Sequence, residues 1–323
     1  MRPIIDLLLL GITLAAAAAS PAFAQTFPTR PVRLIVPFPS GGPADMLARL
    51  LSEKLTERWG QGVVVESISG AAGNIGADHV ARAVGDGHVL LLNASSHVIN
   101  GILYSKLPYD PFKDFTPITQ VASYQHMFVV HPGMPVKTVR EFVALAKSKP
   151  GQLTVGNSGP GTPGHLAAEL FKITASIDLI SVPYKGSAPA TTDLLGGQVN
   201  AMFNNPVNSL TYIGSGKLRA VGVTSLKRLA VAPDVPTFAE SGYPGFEAGT
   251  WFGIYGPANL PAPVVAKIHE DVARALQLPD VRQKLGAQAW DTIGNSPAEF
   301  LAVMKSDQET WSKVIKAAGI RSQ

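Results

Sequence analysis

The stretch from Leu34 to Arg49, LIVPFPSGGPADMLAR, narrows the choice of fold more than any other part of the chain. Its apolar run, Leu34 to Phe38, has the length of a short buried strand. Ser40, Gly41 and Gly42 then supply a tight small-residue turn. Pro43 follows at the first helical position, where a missing N–H costs least. Met46, Leu47, Leu50 and Leu51 recur at helical spacing after it. A strand, a glycine turn and a helix start gather free backbone N–H groups and the positive end of a helix dipole around one small space. That is a general anion site, suited to a carboxylate or a phosphate. The pattern returns from Leu153 to Leu170, LTVGNSGPGTPGHLAAEL, with Pro163 at a second helix start. Two such helix ends facing across a cleft hold a small anion from both sides, and this is the working expectation.

Composition permits that arrangement. The chain has 323 residues, enough for two domains with separate cores, and its 46% hydrophobic and 15% charged content is ordinary for a globular protein. The 31 glycines and 26 prolines suit many short turns. A net charge of +4 modestly raises the local concentration of anions, while no basic run or base-stacking aromatic motif points to nucleic acid. The lack of cysteine excludes disulfides, thiol nucleophiles, cysteine metal sites and a lipid-anchored cysteine. Residues 1–24 read as a signal peptide: Arg2 precedes an apolar run from Leu7 to Ala19, and Ala22-Phe23-Ala24 fits a small-x-small cleavage site. The alternative is a membrane anchor, for which the run is short. A periplasmic mature chain starting at Gln25 is expected.

Further along, Val63 to Val65 reads as a second strand, Asn74 to Val84 as a helix and His88 to Leu92 as a third strand. The polar loop Asn93 to His97, with Ser95 and Ser96, leaves the same sheet end as the first glycine turn if these strands are parallel. Open α/β sheets bind ligands at that end. Two apolar stretches within Pro117 to His131 read as a crossing to a second domain, and Lys227 to Pro236 as the return. The first domain is thus placed at 25–124 with 230–323, and the second at 125–229. Thr138-Val-Arg-Glu141 and Ser296-Pro-Ala-Glu299 are capping boxes that open helices. Strands alternating with helices in both halves predict two α/β domains, each a mostly parallel sheet flanked by helices.

Several side chains carry the chemistry. Ser40, Gly41 and Gly42 offer a hydroxyl and backbone donors, and Phe38 is either an apolar wall or core. Asp45 is either a cap for its own helix or an acceptor for a ligand hydroxyl, amine or water. In the second loop Asn157, Ser158 and Thr162 are short hydrogen-bonding groups, and Gly159, Gly161 and Gly164 permit close approach to the backbone. These glycines match G-x-G-x-x-G, but the next strand ends Val182-Pro183-Tyr184-Lys185 without the acid a dinucleotide needs. His165 is a cap or a ligand contact and should stay neutral near the dipole. Asn204 and Asn205 offer carboxamides, or form a simple turn before Pro206. No catalytic motif is found: Gly-Asn-Ser-Gly-Pro around Ser158 fails the nucleophile-elbow pattern, and the seven histidines show no ligand spacing. No catalytic residue, metal or cofactor is assigned.

From Arg33 to Gly319 the chain resembles the Bug family, periplasmic solute receptors of tripartite tricarboxylate transporters. The stretches that carry the resemblance are VPFPSGGPADMLARLL, GAAGNIGADHVA, LPYDPFKDFTPIT, VVHPGMP, NSGPGTPGHLAAELFK, VPYKGSAPATTDLLGGQV and DVPTFAESGYPGFE. It implies a two-lobed periplasmic-binding-protein fold of the second type that closes on a carboxylate held by both glycine loops. The loop from Ser40 to Asp45, Ser95, Ser96, Asn157 to Thr162, His165 and Asn204 then fall at the ligand site. The expected partners are a small organic carboxylate and membrane permease subunits, with the receptor itself a monomer. Ser67-Ile68-Ser69 stands where relatives often carry Asn-Arg-Pro, and Asn204 where many carry Asp. A ligand without a cationic amine follows as an expectation. The competing classes are a hydrolase on the same scaffold and a sensor subunit.

Overall fold

The computed structural model describes residues 27–320; the expected signal peptide lies outside them. The first sheet has six strands: β1 (Val32–Val36), β2 (Val63–Ser67), β3 (Val89–Ala94), β4 (Phe115–Gln125), β10 (Gly249–Pro257) and β11 (Trp290–Thr292), in the order β11-β4-β10-β3-β1-β2. The second has five: β5 (Met127–Val130), β6 (Thr154–Asn157), β7 (Ile180–Pro183), β8 (Ala201–Asn204) and β9 (Arg219–Val223), in the order β7-β6-β8-β5-β9. Only His126 separates β4 from β5, so the chain passes directly from one sheet into the other.

In each sheet most strands run one way, with β10 and β11 reversed in the first and β5 in the second. β1 pairs in parallel with β2 and β3, and β6 with β7 and β8. β10 is antiparallel to β3 and β4, and β5 is antiparallel to β8 and β9. The reason is topological. Strands of the βαβ units end at the cleft, whereas β5 and β10 enter their sheets from the cleft and must run the other way.

Ten α-helices cover the sheets among the described residues: α1 (Pro43–Trp59), α2 (Asn74–Ala81), α3 (Ser96–Leu103), α4 (Val139–Ser148), α5 (Pro163–Ala175), α6 (Ser187–Leu195), α7 (Pro206–Gly214), α8 (Ala262–Gln277), α9 (Pro279–Gly286) and α10 (Pro297–Ala318). Leu47, Leu51 and Leu55 of α1 and Ile268, Val272 and Leu276 of α8 pack on one face of the first sheet. In the second lobe, Phe142 of α4 and Phe171 of α5 enclose an aromatic core with Phe128, Phe203, Phe238 and Phe246. Thr138 caps α4 by accepting from the Glu141 amide, and Ser296 and Glu299 form the full capping box of α10. α10 is rooted in both lobes: Phe300 and Met304 sit in the first lobe's core, Trp311 and Ile315 in the second's.

Three local readings need correction. The Asn93–His97 segment is not a loop, because β3 runs to Ala94 and α3 begins at Ser96. Pro206 does not follow a simple turn but opens α7. α9 and β11 were not expected at all.

Candidate functional site

A cavity of about 760 Å³, counting its open mouth, lies between the lobes. Gly42, Pro43 and Ala44 of α1 line it from the first lobe, and Thr162, Pro163 and Gly164 of α5 from the second. Gly186, Ser187 and Ala188 bring the first turn of α6 to the same space, a third helix end that the sequence reading had not placed there. None of these three N-termini is capped by its N-cap side chain. A helix leaves its first amides without intrahelical acceptors, so three sets of donors and three positive dipole ends converge.

The two glycine loops share a further device. The Gly41 amide donates to Asp45 Oδ2 at 3.0 Å, and the Gly161 amide donates to His165 Nδ1 at 3.1 Å. In each case the residue four places on ties the glycine to its own helix, which fixes the loop and leaves the first-turn amides for a ligand. Burial raises the Asp45 carboxyl, but hydrogen bonds from Arg49 and Gly41 outweigh it and hold it below the usual carboxylate range. Burial lowers His165, with Glu169 opposing and Lys172 adding to the effect, so it is neutral near pH 7.

Of the residues expected at the site, Phe38, Ser40, Gly42, Ser158, Thr162 and Asn204 line the cavity. Gly41, Asp45, Asn157, Gly161 and His165 stand behind it and shape the loops. Asn157 donates to Ser181 Oγ at 2.8 Å and accepts from the Gly159 amide, and the Thr162 hydroxyl donates to the Gly159 carbonyl at 2.7 Å. Ser95 and Ser96 are buried behind Ala94, which itself lines the cavity. Asn204 reaches the cavity with its carboxamide already engaged: Nδ2 donates to Thr191 Oγ1, and Oδ1 accepts from the Asn205 amide.

Sequence reasoning missed the floor. Tyr124, His126, Thr250 and Phe252 come from the strands that join the lobes. Thr250 Oγ1 and His126 Nε2 are 3.1 Å apart, and the β4–β10 pairing sets Tyr124 opposite Thr250. Burial depresses His126 to about 4, against the raising effect of the Asn204 backbone. Burial also raises Tyr124. The signal was a polar Gln125-His126 step between two apolar runs. Among the described residues no acidic group lines the cavity, and Lys185 at its exposed rim is the one full cation. No cluster of three metal-ligating acids or imidazoles occurs among them either.

Residues 47–320 match the sequence profile of the tripartite tricarboxylate transporter family receptor. The chain belongs to this family. The receptor is 34% identical to BugT of Bordetella pertussis, over 98% of each chain, which bears out the Bug resemblance. A structure of an R. palustris protein with adipate superposes with a TM-score of 0.88 at 36% identity, covering 91% of this receptor and 99% of that chain. MatC from Rhodopseudomonas palustris, solved with bound malate, gives 0.84 at 33% identity over 90% and 100%. The two-lobed periplasmic-binding-protein architecture is therefore this receptor's fold, and its family is one of solute receptors.

Proposed function

We propose that the protein is an exported receptor that captures a small organic carboxylate between its lobes and hands it to a membrane permease. The observation that carries this reading is the convergence of three helix N-termini, drawn from both lobes and none capped by its N-cap side chain, on one cavity with no acid among the described residues that line it. Each dipole contributes roughly 0.3–1 kcal/mol to an anion, and the first-turn amides add charge-assisted hydrogen bonds. Adipate and malate in the related structures support a carboxylate here. The lack of an acid among the described lining residues, with Asn at 204, supports an acid without an amine. Export rests on residues 1–24, and action as a monomer is part of the same proposal.

A hydrolase is the weaker reading. Thr250 and His126 are a hydroxyl and an imidazole within hydrogen-bond reach, but burial makes His126 a poor base. No carboxylate among the described residues orients it. Calorimetric titration with carboxylates and their neutral amide analogues tests the proposal. Acids are expected to bind at least about tenfold more tightly than the amides, as charge-assisted contacts require. Equal affinity, or turnover of esters, would contradict it.

A further inference from the structure

The cavity treats its two regions differently. Around the three helix ends it is rich in backbone donors; elsewhere its lining includes Phe38, Met202 and Phe252, while the Phe203 ring belongs to the second lobe's aromatic core. Lys185, the one lysine or arginine among the described lining residues, is exposed at the rim. A second carboxylate placed against the aromatic region would lose its hydration with no charge to replace it. The polar groups in that region are uncharged: Tyr124, Thr250 and His126 form a row across the floor, with Thr250 hydrogen-bonded to His126 and opposite Tyr124 in the β4–β10 pairing. Burial keeps His126 neutral and Tyr124 a phenol at physiological pH. The Tyr124 ring is fixed by its neighbours, 4.9 Å from Trp290, 5.5 Å from His126 and 6.0 Å from Phe252 between centroids. A phenol held in this way has a defined position, so it discriminates by geometry as well as by chemistry.

We infer that the ligand is a singly charged acid with an apolar, ring-sized body, and that Tyr124 reads an uncharged oxygen on that body. The inference rests on the carboxylate reading above. Thr250 and His126 are positioning residues. When Thr250 donates to His126 Nε2 it can accept from Tyr124, leaving the Tyr124 oxygen to accept from a ligand hydroxyl. With the other imidazole tautomer the row reverses, and Tyr124 donates to a ligand carbonyl. Either way the row exchanges neutral hydrogen bonds and meets no net charge. This separates the receptor from a binder of aliphatic diacids, where the second end is also an anion.

The test is calorimetry with benzoate, its three monohydroxy isomers and adipate. At least one hydroxybenzoate is expected to bind about tenfold or more tightly than both benzoate and adipate, the scale on which a built hydrogen-bonding site rejects analogues that lack the group. Tyr124→Phe keeps the ring and removes only the hydroxyl, and should shrink the hydroxybenzoate-to-benzoate ratio to within about twofold. Thr250→Val, close in shape, should cut the same ratio at least about threefold by releasing the row, and it serves if the first variant folds poorly. Adipate binding most tightly, hydroxyl isomers no better than benzoate, or a ratio intact in both variants would each overturn the inference. If no acid of either class binds, the carboxylate reading itself fails and this one with it.

Discussion

At the scale of single residues, Gly42, the N-cap of α1, and Gly161, one place before the N-cap of α5, differ in what they tolerate. Gly161 has φ +74°, and a Cβ there would lie 2.4 Å from Leu103 Cδ1 of the opposite lobe. Gly42 has φ −84°, and a Cβ would approach nothing nearer than the Pro39 carbonyl oxygen at 3.5 Å. Urea denaturation should therefore find Gly161→Ala less stable by about 1–3 kcal/mol, and Gly42→Ala changed by no more than about 0.5 kcal/mol. Equal losses at both positions would refute the close contact at Gly161. Two buried histidines set the pH response. His97 and His126 are both depressed by burial to about 4, well below their ordinary 6.5. A group with a lower folded than unfolded pKa takes up a proton when the chain unfolds. Its contribution is whole above pH 6.5 and is lost as pH falls toward 4, by about 3 kcal/mol per histidine at full extent. Asp45 works in the same sense but at lower pH: its depressed carboxyl adds stability that is lost as pH falls through its folded value. Urea midpoints at pH 7, 5.5 and 4.5 should decline steadily; a flat profile would mean that neither imidazole is buried neutral.

At the scale of elements, the helix starts were the most legible feature of the chain. Pro43 and Pro163 announced α1 and α5, and Ser296-Pro-Ala-Glu299 announced α10, because each signal is local and chemical. The same proline signal at Pro206 was read as a turn, since Asn204-Asn205 are themselves good turn formers, and α7 was missed. The antiparallel places of β5 and β10 were not legible, because strand direction depends on where the chain enters each lobe. Nor was the floor, whose Tyr124 and Thr250 are brought opposite each other only by the β4–β10 pairing. The double anchorage of α10 also escaped the sequence. Trp311 is buried in the second lobe's core while the helix begins in the first. Trp311→Ala should cost about 3–5 kcal/mol and speed amide exchange in α3 and α5, which pack beside α10. Exchange confined to the last turn of α10 would show that the helix does not tie the lobes together.

At the scale of the whole molecule, the chain crosses between lobes at β4–β5 and returns into β10. The crossings are joined where the His126 amide donates to Thr224 Oγ1 at 2.9 Å and the Thr224 hydroxyl donates to the Ala248 carbonyl just before β10. The cavity floor is built on these connecting strands, so a ligand touching Tyr124 or Thr250 also touches the hinge. On the proposed function, binding shifts an equilibrium between open and closed forms toward the one in which both lobes contact the acid. Lys185 at the rim contributes charge rather than a buried contact. Stopped-flow measurements should find slower association in Lys185→Gln, by about two- to fivefold at low salt and less at high salt, with dissociation little changed. A change confined to dissociation would place Lys185 inside the closed site instead. The central claim concerns where the acid sits. A crystal structure with the tightest-binding carboxylate should place its oxygens within hydrogen-bond distance of first-turn amides from α5 or α6 and of the α1 loop at Gly42 to Ala44, directly or through one water. A carboxylate bound on one lobe alone, or with its oxygens turned toward Phe252 and away from all three helix ends, would contradict the account.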